Sequence, residues 1–332
     1  MRKLFLVLVL TLVVLLGAFS FSLPSDFRLM SMGNANATGN GDCGIVFNNP
    51  ASLYFHNSSD FLTVHTSLSD SHQSGEGWNL PFIPGGDFHA RFAGKFLSFT
   101  GSIMTQSYSI RTDVDGKKYY GSLRSFSADI SATAGWKDII AAGIGLNAGL
   151  SADRDGFVVK DGSRLTDFLL NMVAGEYSRI DDSEFATVRA GVQVLLGGFR
   201  IGILAPRVYT YEDRKTAFSA DGLSAGISYE GSRYYGRARL NTLVVSALAE
   251  IHDIANEYRT LHVGGEITLN ITSSNNVSLR AGYTCYPKYY DDGTVTLGAC
   301  AVMGRFELNG YVDFQIKRPG TIQYALDFVL YY

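Results

Sequence analysis

Long apolar runs are almost absent from this chain. Beyond residue 22 no stretch of about 18 apolar residues occurs, and that is the length a helix needs to cross a bilayer. Proline is scarce, with 7 residues in 332, and the formal net charge is only -3. No membrane-spanning helix is therefore expected, and a charge this small does not indicate a nucleic-acid partner.

Motifs that carry catalysis or hold metals are also missing. The six histidines show no metal-ligand spacing, and neither a nucleophile elbow, a phosphate-binding loop nor a dinucleotide fingerprint occurs. We therefore expect no enzymatic activity, no metal and no cofactor. An outer-membrane hydrolase with a dispersed site stays open as a third hypothesis on function.

The first 22 residues differ in composition from the rest. Met1–Lys3 are followed by 13 uncharged residues, Leu4–Leu16, and then by the small residues Ala18 and Ser20. This layout predicts a cleaved secretory signal at 1–22, because the apolar run is too short for a comfortable transmembrane helix. No cysteine follows the run before Cys43, so a lipid-anchored N-terminus is not expected.

The remaining chain is rich in strand and turn residues, with 36 Gly, 19 Tyr and 21 Phe. In the last predicted strand, Thr321–Tyr332, every second residue is apolar or aromatic. Such strands of 10–12 residues are long enough to cross a bilayer at a tilt, whereas soluble strands are more often about 5–6 residues. The pattern predicts an all-β fold, a single antiparallel transmembrane β-barrel in the outer membrane. A secreted soluble β-sandwich is the alternative.

Counting back from the C-terminus gives about 14 strands, with short periplasmic turns and longer outer loops. The outer loop 152–184 contains a predicted helix, 163–177, which packs on the barrel rim or offers a hydrophobic landing surface. The chain ends on Tyr331–Tyr332, which resembles the sorting signal read by the outer-membrane assembly machinery. The predicted strands are 61–68, 87–94, 97–109, 119–135, 138–151, 185–196, 199–210, 216–229, 237–251, 260–271, 276–287, 293–302, 305–316 and 321–332.

Residues 23–56 do not read as a strand. They form a Gly- and Asn-rich segment that ends in an Asn49-Pro50 turn. Irregular backbone cannot face lipid, because its N–H and C=O groups would lack partners. We therefore predict a signal peptide at 1–22, a lumenal plug at 23–56, and a barrel at 57–332.

The plug carries a family resemblance. Residues 31–35, Ser-Met-Gly-Asn-Ala, and 49–53, Asn-Pro-Ala-Ser-Leu, resemble the N-terminal hatch motif of the long-chain fatty acid outer-membrane transporter superfamily. Members typically have Gly where Ser31 and Ser52 stand here. Segments 262–266, 279–283 and 296–298 resemble the C-terminal half of the smaller branch, which includes type IX secretion shuttle barrels.

The resemblance implies a plugged 14-stranded barrel that takes up hydrophobic small molecules, such as long-chain fatty acids, toward a gap in its wall. Membrane lipid and a hydrophobic ligand are then the expected partners, and the barrel is expected to be porin-like. The alternative is a barrel that acts as a binding, shuttle or structural partner for other envelope proteins. An apolar pocket and a wall defect are expected near the hatch, whose candidate ligand residues are Phe47, Asn49, Pro50, Ala51 and Leu53.

Charged residues on the lumenal face are predicted to meet in pairs. A three-residue turn at 272–274 places Glu266 opposite Arg280, as a lumenal ion pair that braces the wall or takes part in gating. If the final hairpin turns at Gly320, Asp313 meets Asp327, and a cation or a shared proton must offset their repulsion.

The cysteines are predicted to remain free thiols. A two-residue turn at 292–293 would pair Cys285 with Cys300, but the face pattern puts the first outward and the second inward. A longer loop or a bulge near Pro287 is therefore expected. Cys43 has no evident partner.

Overall fold

The structure is a computed structural model that describes 27–32, 35–38, 48–55 and 62–331, except 74–84, 95, 113–117, 160–175, 213–214, 220, 236–240, 258, 273, 287–288 and 318–320. The predicted signal peptide, Phe47 and Cys43 lie outside these residues. None of the helices in the described part of the chain is long and apolar enough to cross a membrane.

The described strands form one closed antiparallel barrel. Neighbouring strands pair in chain order, the pair β1–β15 joins the two ends of the chain, and β6–β7 completes the ring. The short strand β8 and strand β9 follow one another along β7 and together occupy one strand position in the wall. The wall therefore has 14 strand positions, and the predicted 14-stranded barrel is confirmed. The strands are β1 (Leu62–Gln73), β2 (Gly85–Ala93), β3 (Leu97–Thr112), β4 (Lys118–Trp136), β5 (Ile140–Val159), β6 (Arg179–Leu196), β7 (Phe199–Glu212), β8 (Lys215–Phe218), β9 (Ser224–Tyr235), β10 (Asn241–His252), β11 (Thr260–Asn270), β12 (Asn275–Tyr286), β13 (Tyr289–Met303), β14 (Phe306–Gln315) and β15 (Thr321–Tyr331).

The outside of the barrel is apolar and the inside is polar. On β4, Phe126, Ile130 and Trp136 are exposed, whereas the alternate residues Ser127 and Asp129 are buried. A soluble protein buries its apolar face instead, so the sandwich alternative is excluded and the protein is an outer-membrane barrel. From Phe126 to Trp136, 11 residues tilted by about 40° span roughly 25 Å, the height of a hydrocarbon core. We call these outward apolar residues, and their counterparts on the other strands, the apolar belt.

Strands β3–β6 continue beyond the apolar belt. Strand β5 ends at Val159 and β6 begins at Arg179, so the predicted bounds 152–184 of the outer loop were wrong. The belt ends near Leu150, and above it the alternation of apolar and polar residues that revealed the strand stops, although backbone pairing continues. Most of the predicted helix 163–177 lies outside the described residues, and Glu176–Ser178 are not helical.

The register of the final hairpin corrects one prediction. Asp327 lies opposite Asn309, and Asp313 lies opposite Gln323, so the two aspartates do not meet. The predicted and observed registers differ by an even number of residues, and both keep every side chain on its face. Alternation therefore could not decide between them. Asn309 Nδ2 donates to Asp327 Oδ2 at 3.0 Å.

The cysteine prediction is confirmed for the two cysteines that the structure describes. Cys285 and Cys300 are buried free thiols. Cys300 lies opposite Ser278 on β12, and its Sγ donates to Glu307 Oε1 at 3.5 Å. The register shifts between Thr284 and Tyr286, which is the expected irregularity before Pro287.

Candidate functional site

The described parts of the plug lie across the lumen. Helix α1 (Phe27–Ser31) packs against β12, β13 and β14. Helix α2 (Ser52–Phe55) packs against β4 and β5, on another part of the wall. The plug therefore reaches strands that are far apart around the ring.

Lumen-facing glycines let the plug lie directly against the wall. At each of these positions an added Cβ would overlap a plug atom. Only glycine leaves room for so close a backbone approach. The contacts pair Gly135 with Tyr54, Gly143 with Pro50, Gly191 with Asn49, Gly202 with Ala37, Gly264 with Met32, and Gly298 with Ser31.

Glu250 of β10 binds the middle of the plug. Its Oε2 accepts hydrogen bonds from the backbone N–H groups of Asn36 at 2.7 Å and Ala37 at 2.8 Å. Its Oε1 accepts from Thr38 N at 2.6 Å and Thr38 Oγ1 at 2.5 Å. Three converging backbone N–H groups form an anion-binding nest. A carboxylate that is only 1% exposed is tolerated because its oxygens are satisfied in this way.

Two histidines extend the Glu250 contact toward the outer end. His252 Nε2 lies 3.1 Å from Glu250 Oε2, and the His252 ring stacks on that of His262 with centroids 3.8 Å apart. His262 also lies within hydrogen-bond distance of the Thr260 and Thr284 hydroxyls. Among the described residues no group of three or more His, Cys, Asp or Glu could hold a metal ion.

The hatch residues hold the fold of the plug. Asn49 Nδ2 donates to Ala37 O at 2.8 Å and to Ile203 O of β7 at 3.1 Å. Its Oδ1 accepts from Ala51 N at 3.1 Å. Ala51 packs with Tyr54 and Ala141, Leu53 packs against Ala93, and Pro50 lies against Gly143. All four described hatch candidates are buried in these contacts.

Glu266 joins two arginines inside the lumen. The register places it opposite Arg280, whose Nε lies 2.5 Å from Glu266 Oε2. Arg28 of the plug donates to both carboxylate oxygens, at 3.1 and 2.7 Å. Arg280 Nη1 also donates to Asn309 Oδ1 at 2.9 Å. The wall pair is thus a cluster that includes the plug. Sequence reasoning missed Arg28, because nothing in its neighbourhood along the chain indicates a partner on β11.

Replacing Glu266 with glutamine is expected to destabilise the barrel by about 3–5 kcal/mol, because two buried guanidinium groups lose their carboxylate. Urea unfolding in detergent micelles, followed by heat-modifiable gel migration, measures the change. Glu184→Gln, at an exposed position of β6, is the matched control. Equal unfolding midpoints for both variants would contradict a bracing role for Glu266.

A cavity of about 220 Å³ lies between the plug and the wall near the turn Gly197–Gly198. In outer-membrane barrels the short turns lie on the periplasmic side. Gly197–Gly198 is such a turn, and β15 ends on the same side, so the cavity lies at the periplasmic end of the barrel. The lining combines two guanidinium groups and the carboxylate of Glu230 with apolar side chains, a mixture that suits an amphiphile. It includes Arg28, Arg200, Leu29, Met32, Leu195 and Leu248. Phe47 lies outside the described residues, and Leu53 does not line this cavity.

The wall is interrupted at β7. Its lower part pairs with β9 up to Leu204–Ser224, and its upper part pairs with β8 from Tyr209–Phe218. On the other side, the register with β6 shifts between Val188 and Ala190. Pro206 lies in the unpaired stretch and has no N–H to donate. We call residues 205–207, together with 221–223, the wall break.

The strand partner of β7 is diverted at the wall break. Gly222 N donates to Asp253 Oδ1 at 2.5 Å, and Ile254 N donates to Leu223 O at 3.0 Å. Both bonds go to the β10–β11 loop and not to β7. Gly222 has a positive φ of 78° and lies against the Pro206 ring, which leaves no room for a Cβ.

The wall break lies within the apolar belt. Ile201 and Ile203 are exposed on its periplasmic side. On its outer side Phe218 is 83% exposed and lies 5.1 Å, centroid to centroid, from the Tyr209 ring. The interruption therefore faces lipid.

A lipid-facing belt, a fixed plug and an interrupted wall define a plugged outer-membrane barrel. No protein-family model and no curated protein sequence matches the chain. Among solved structures, it is similar to the CymD monoaromatic hydrocarbon channel, with 13% identity, a TM-score of 0.52, and 94% of this chain and 99% of that one covered.

The Pseudomonas putida toluene transporter TodX is similar as well, at 11% identity and a TM-score of 0.53 over 93% of this chain and 98% of that one. A TodX deltaS2S3 mutant gives 9% identity and 0.54 over 94% and 100%. At these identities the likeness concerns the fold, which this barrel shares with outer-membrane hydrocarbon transporters.

Proposed function

We propose that this barrel takes up hydrophobic small molecules across the outer membrane and releases them sideways through the wall break. The observation that carries the proposal is an interrupted β7 wall inside the apolar belt. Intact transmembrane barrels pair every backbone group between strands, so an interruption at lipid depth needs a reason. Passage of an apolar solute between lumen and bilayer supplies one, and it agrees with the hydrocarbon-channel and toluene-transporter functions of the similar barrels.

A second argument comes from the plug. It contacts the wall at many points through glycines and Glu250, and such a plug obstructs axial diffusion of water-soluble molecules. A hydrophobic solute that leaves through the wall need not pass it. Uptake of this kind also requires no chemistry, and we propose a transporter and not an enzyme.

Within hydrophobic solutes we propose amphiphiles with a carboxylate head, such as long-chain fatty acids. Arg200 lines the periplasmic cavity beside Leu29 and Leu248, and Arg207 is exposed in the wall break. Guanidinium groups match carboxylates, whereas a neutral aromatic hydrocarbon gains little from them.

Arg207→Gln is then expected to slow fatty-acid uptake several-fold and to leave toluene uptake unchanged.

Closing the wall break on its β6 side tests the general proposal. Deleting Pro206 and Arg207 leaves one β7 residue opposite Arg189, which restores the ladder to β6. Proteoliposomes or cells with this variant are expected to lose most uptake of labelled oleate and toluene. Deleting Asn256 and Glu257 from the exposed β10–β11 loop is the matched control.

Heat-modifiable migration verifies that both deletion variants fold. If the folded Pro206–Arg207 deletion transports both solutes at the normal rate, release through the wall break is wrong. If neither solute enters faster with the unaltered protein than with empty vesicles, uptake itself is wrong.

A further inference from the structure

Two arginines face outward just above the apolar belt. Phe126 of β4 and Leu150 of β5 lie opposite each other and are both highly exposed, as the top apolar row. The next residue on the same face of β4 is Arg124, and β5 carries Arg154 one step further up. Because the belt matches the hydrocarbon core, this height is that of the outer-leaflet headgroups.

Tyr177 holds the two arginines together. Its hydroxyl accepts hydrogen bonds from Arg124 Nη2 at 3.3 Å and from Ser122 Oγ at 3.4 Å. The guanidinium carbon of Arg154 lies 5.9 Å from the centre of the Tyr177 ring. Both cations are therefore fixed on neighbouring strands before any ligand arrives, which lowers the entropic cost of binding.

The positive charge of Arg154 has no carboxylate partner in the described part of the chain. Its Nε is shielded from solvent and lacks an acceptor there. Asp182 and Glu184 lie on the same face of the next strand, β6, and are exposed. Neither forms an ion pair with Arg154 in the described part of the chain. The charge of Arg154 is therefore not neutralised by a carboxylate of the described residues, and an external anion would neutralise it.

We infer that Arg124, Arg154 and Tyr177 form a binding site for the phosphate headgroup of an anionic outer-leaflet lipid. Guanidinium groups bind phosphate through paired, charge-assisted hydrogen bonds. The acyl chains of the same lipid lie down the belt along Phe126 and Leu150, which a free phosphate ion cannot exploit. The site faces lipid and is separate from the lumen, and it does not depend on the proposed transport.

Lipid retention by the purified barrel tests the inference. The folded protein in neutral detergent is titrated with lipid A, phosphatidylglycerol or phosphatidylcholine, and bound lipid is counted by native mass spectrometry. We expect the anionic lipids to bind at least about tenfold more tightly than phosphatidylcholine. We also expect their affinity to fall when the salt concentration is raised. Arg124→Gln with Arg154→Gln is expected to abolish this preference.

Matched variants separate the site from general charge effects. Arg305→Gln removes a cation from the exposed periplasmic turn and is expected to leave the preference intact. Tyr177→Phe keeps the ring but loses the hydroxyl that positions Arg124, and a partial loss is expected. Tyr177→Phe also tests the site if the double variant does not fold.

Three outcomes would overturn the inference. One is equal retention of phosphatidylcholine and anionic lipid by the unaltered protein. Another is an unchanged preference in the folded double variant, or in Tyr177→Phe if that is the variant that folds. The third is full competition by inorganic phosphate at the concentration of the lipid, which would assign the site to a free ion.

Discussion

Alanine in place of Glu250 is expected to release the plug and to convert the barrel into an open channel. The substitution removes the acceptor for three backbone N–H groups and one hydroxyl. Each hydrogen bond to a charged group contributes about 1.5–3 kcal/mol, and the freed amides of Asn36–Thr38 can bind water instead once the segment moves. Single-channel recording in planar bilayers is expected to show several-fold larger conductance steps than the unaltered barrel gives.

Glu257→Ala is the control for this experiment, because Glu257 is exposed in the loop that follows β10. Limited proteolysis adds a second readout, since a released plug becomes accessible from the periplasmic side. If Glu250→Ala gives the conductance and the cleavage pattern of the control, Glu250 does not hold the plug.

Valine at Gly264 is the second substitution with a large expected effect. A side chain there would overlap the Met32 carbonyl group of the plug. Overpacking of this kind costs about 1–3 kcal/mol, and the plug is expected to yield before the wall, because the wall is held by ladders on both sides. We expect lower thermal stability and intermittent conductance steps. Gly264→Ala is expected to produce a smaller change in the same direction.

Gly265→Val is a close control for Gly264→Val. The two glycines are adjacent on β11, but Gly265 faces outward and an added Cβ there meets nothing closer than 3.4 Å. The barrel is expected to tolerate valine at this position, since a lipid-facing methyl group is favourable. Equal effects of the two valines would mean that the close approach of plug and wall is not what requires glycine at Gly264.

The barrel could be predicted from sequence because lipid imposes a simple pattern. Alternation in strands such as Arg305–Ile316 and Thr321–Tyr332 is forced by a wet lumen and an apolar exterior. The opposition of Glu266 and Arg280 followed from the same constraint applied to one short turn. The alternation ends near Leu150, and beyond that point the sequence does not reveal the strands. The predicted strands 138–151 and 185–196 are therefore shorter than β5 and β6.

The wall break was expected only in general terms. Strand 216–229 was predicted as continuous, whereas the structure divides it into β8 and β9. Two local signals were present, Pro206 within a predicted strand and Asp221-Gly222, a turn pair. They do not show where the ladder to β7 is lost, because that depends on bonds to Asp253 and Ile254.

The binding of the plug by Glu250 could not be read from the chain. Its partners are backbone N–H groups, which every residue has, so no residue type along the plug marks them. The hatch residues were predicted as ligand contacts, and their placement shows that Asn49 and its neighbours shape the plug itself. A ligand role for them stays a prediction.

The close contact between plug and wall glycines also constrains how the molecule can be assembled. Helix α1 contacts strands as far along the chain as β13 and β14, so these contacts form only after nearly the whole wall exists. The ring closes between β1 and β15, and a plug excluded at that moment would have to thread through a finished cylinder. We therefore expect the segment to enter a half-open sheet before the terminal strands zip together. Such long-range ordering is slow, and it makes the seam between the first and last strands the step at which misassembled, empty barrels arise.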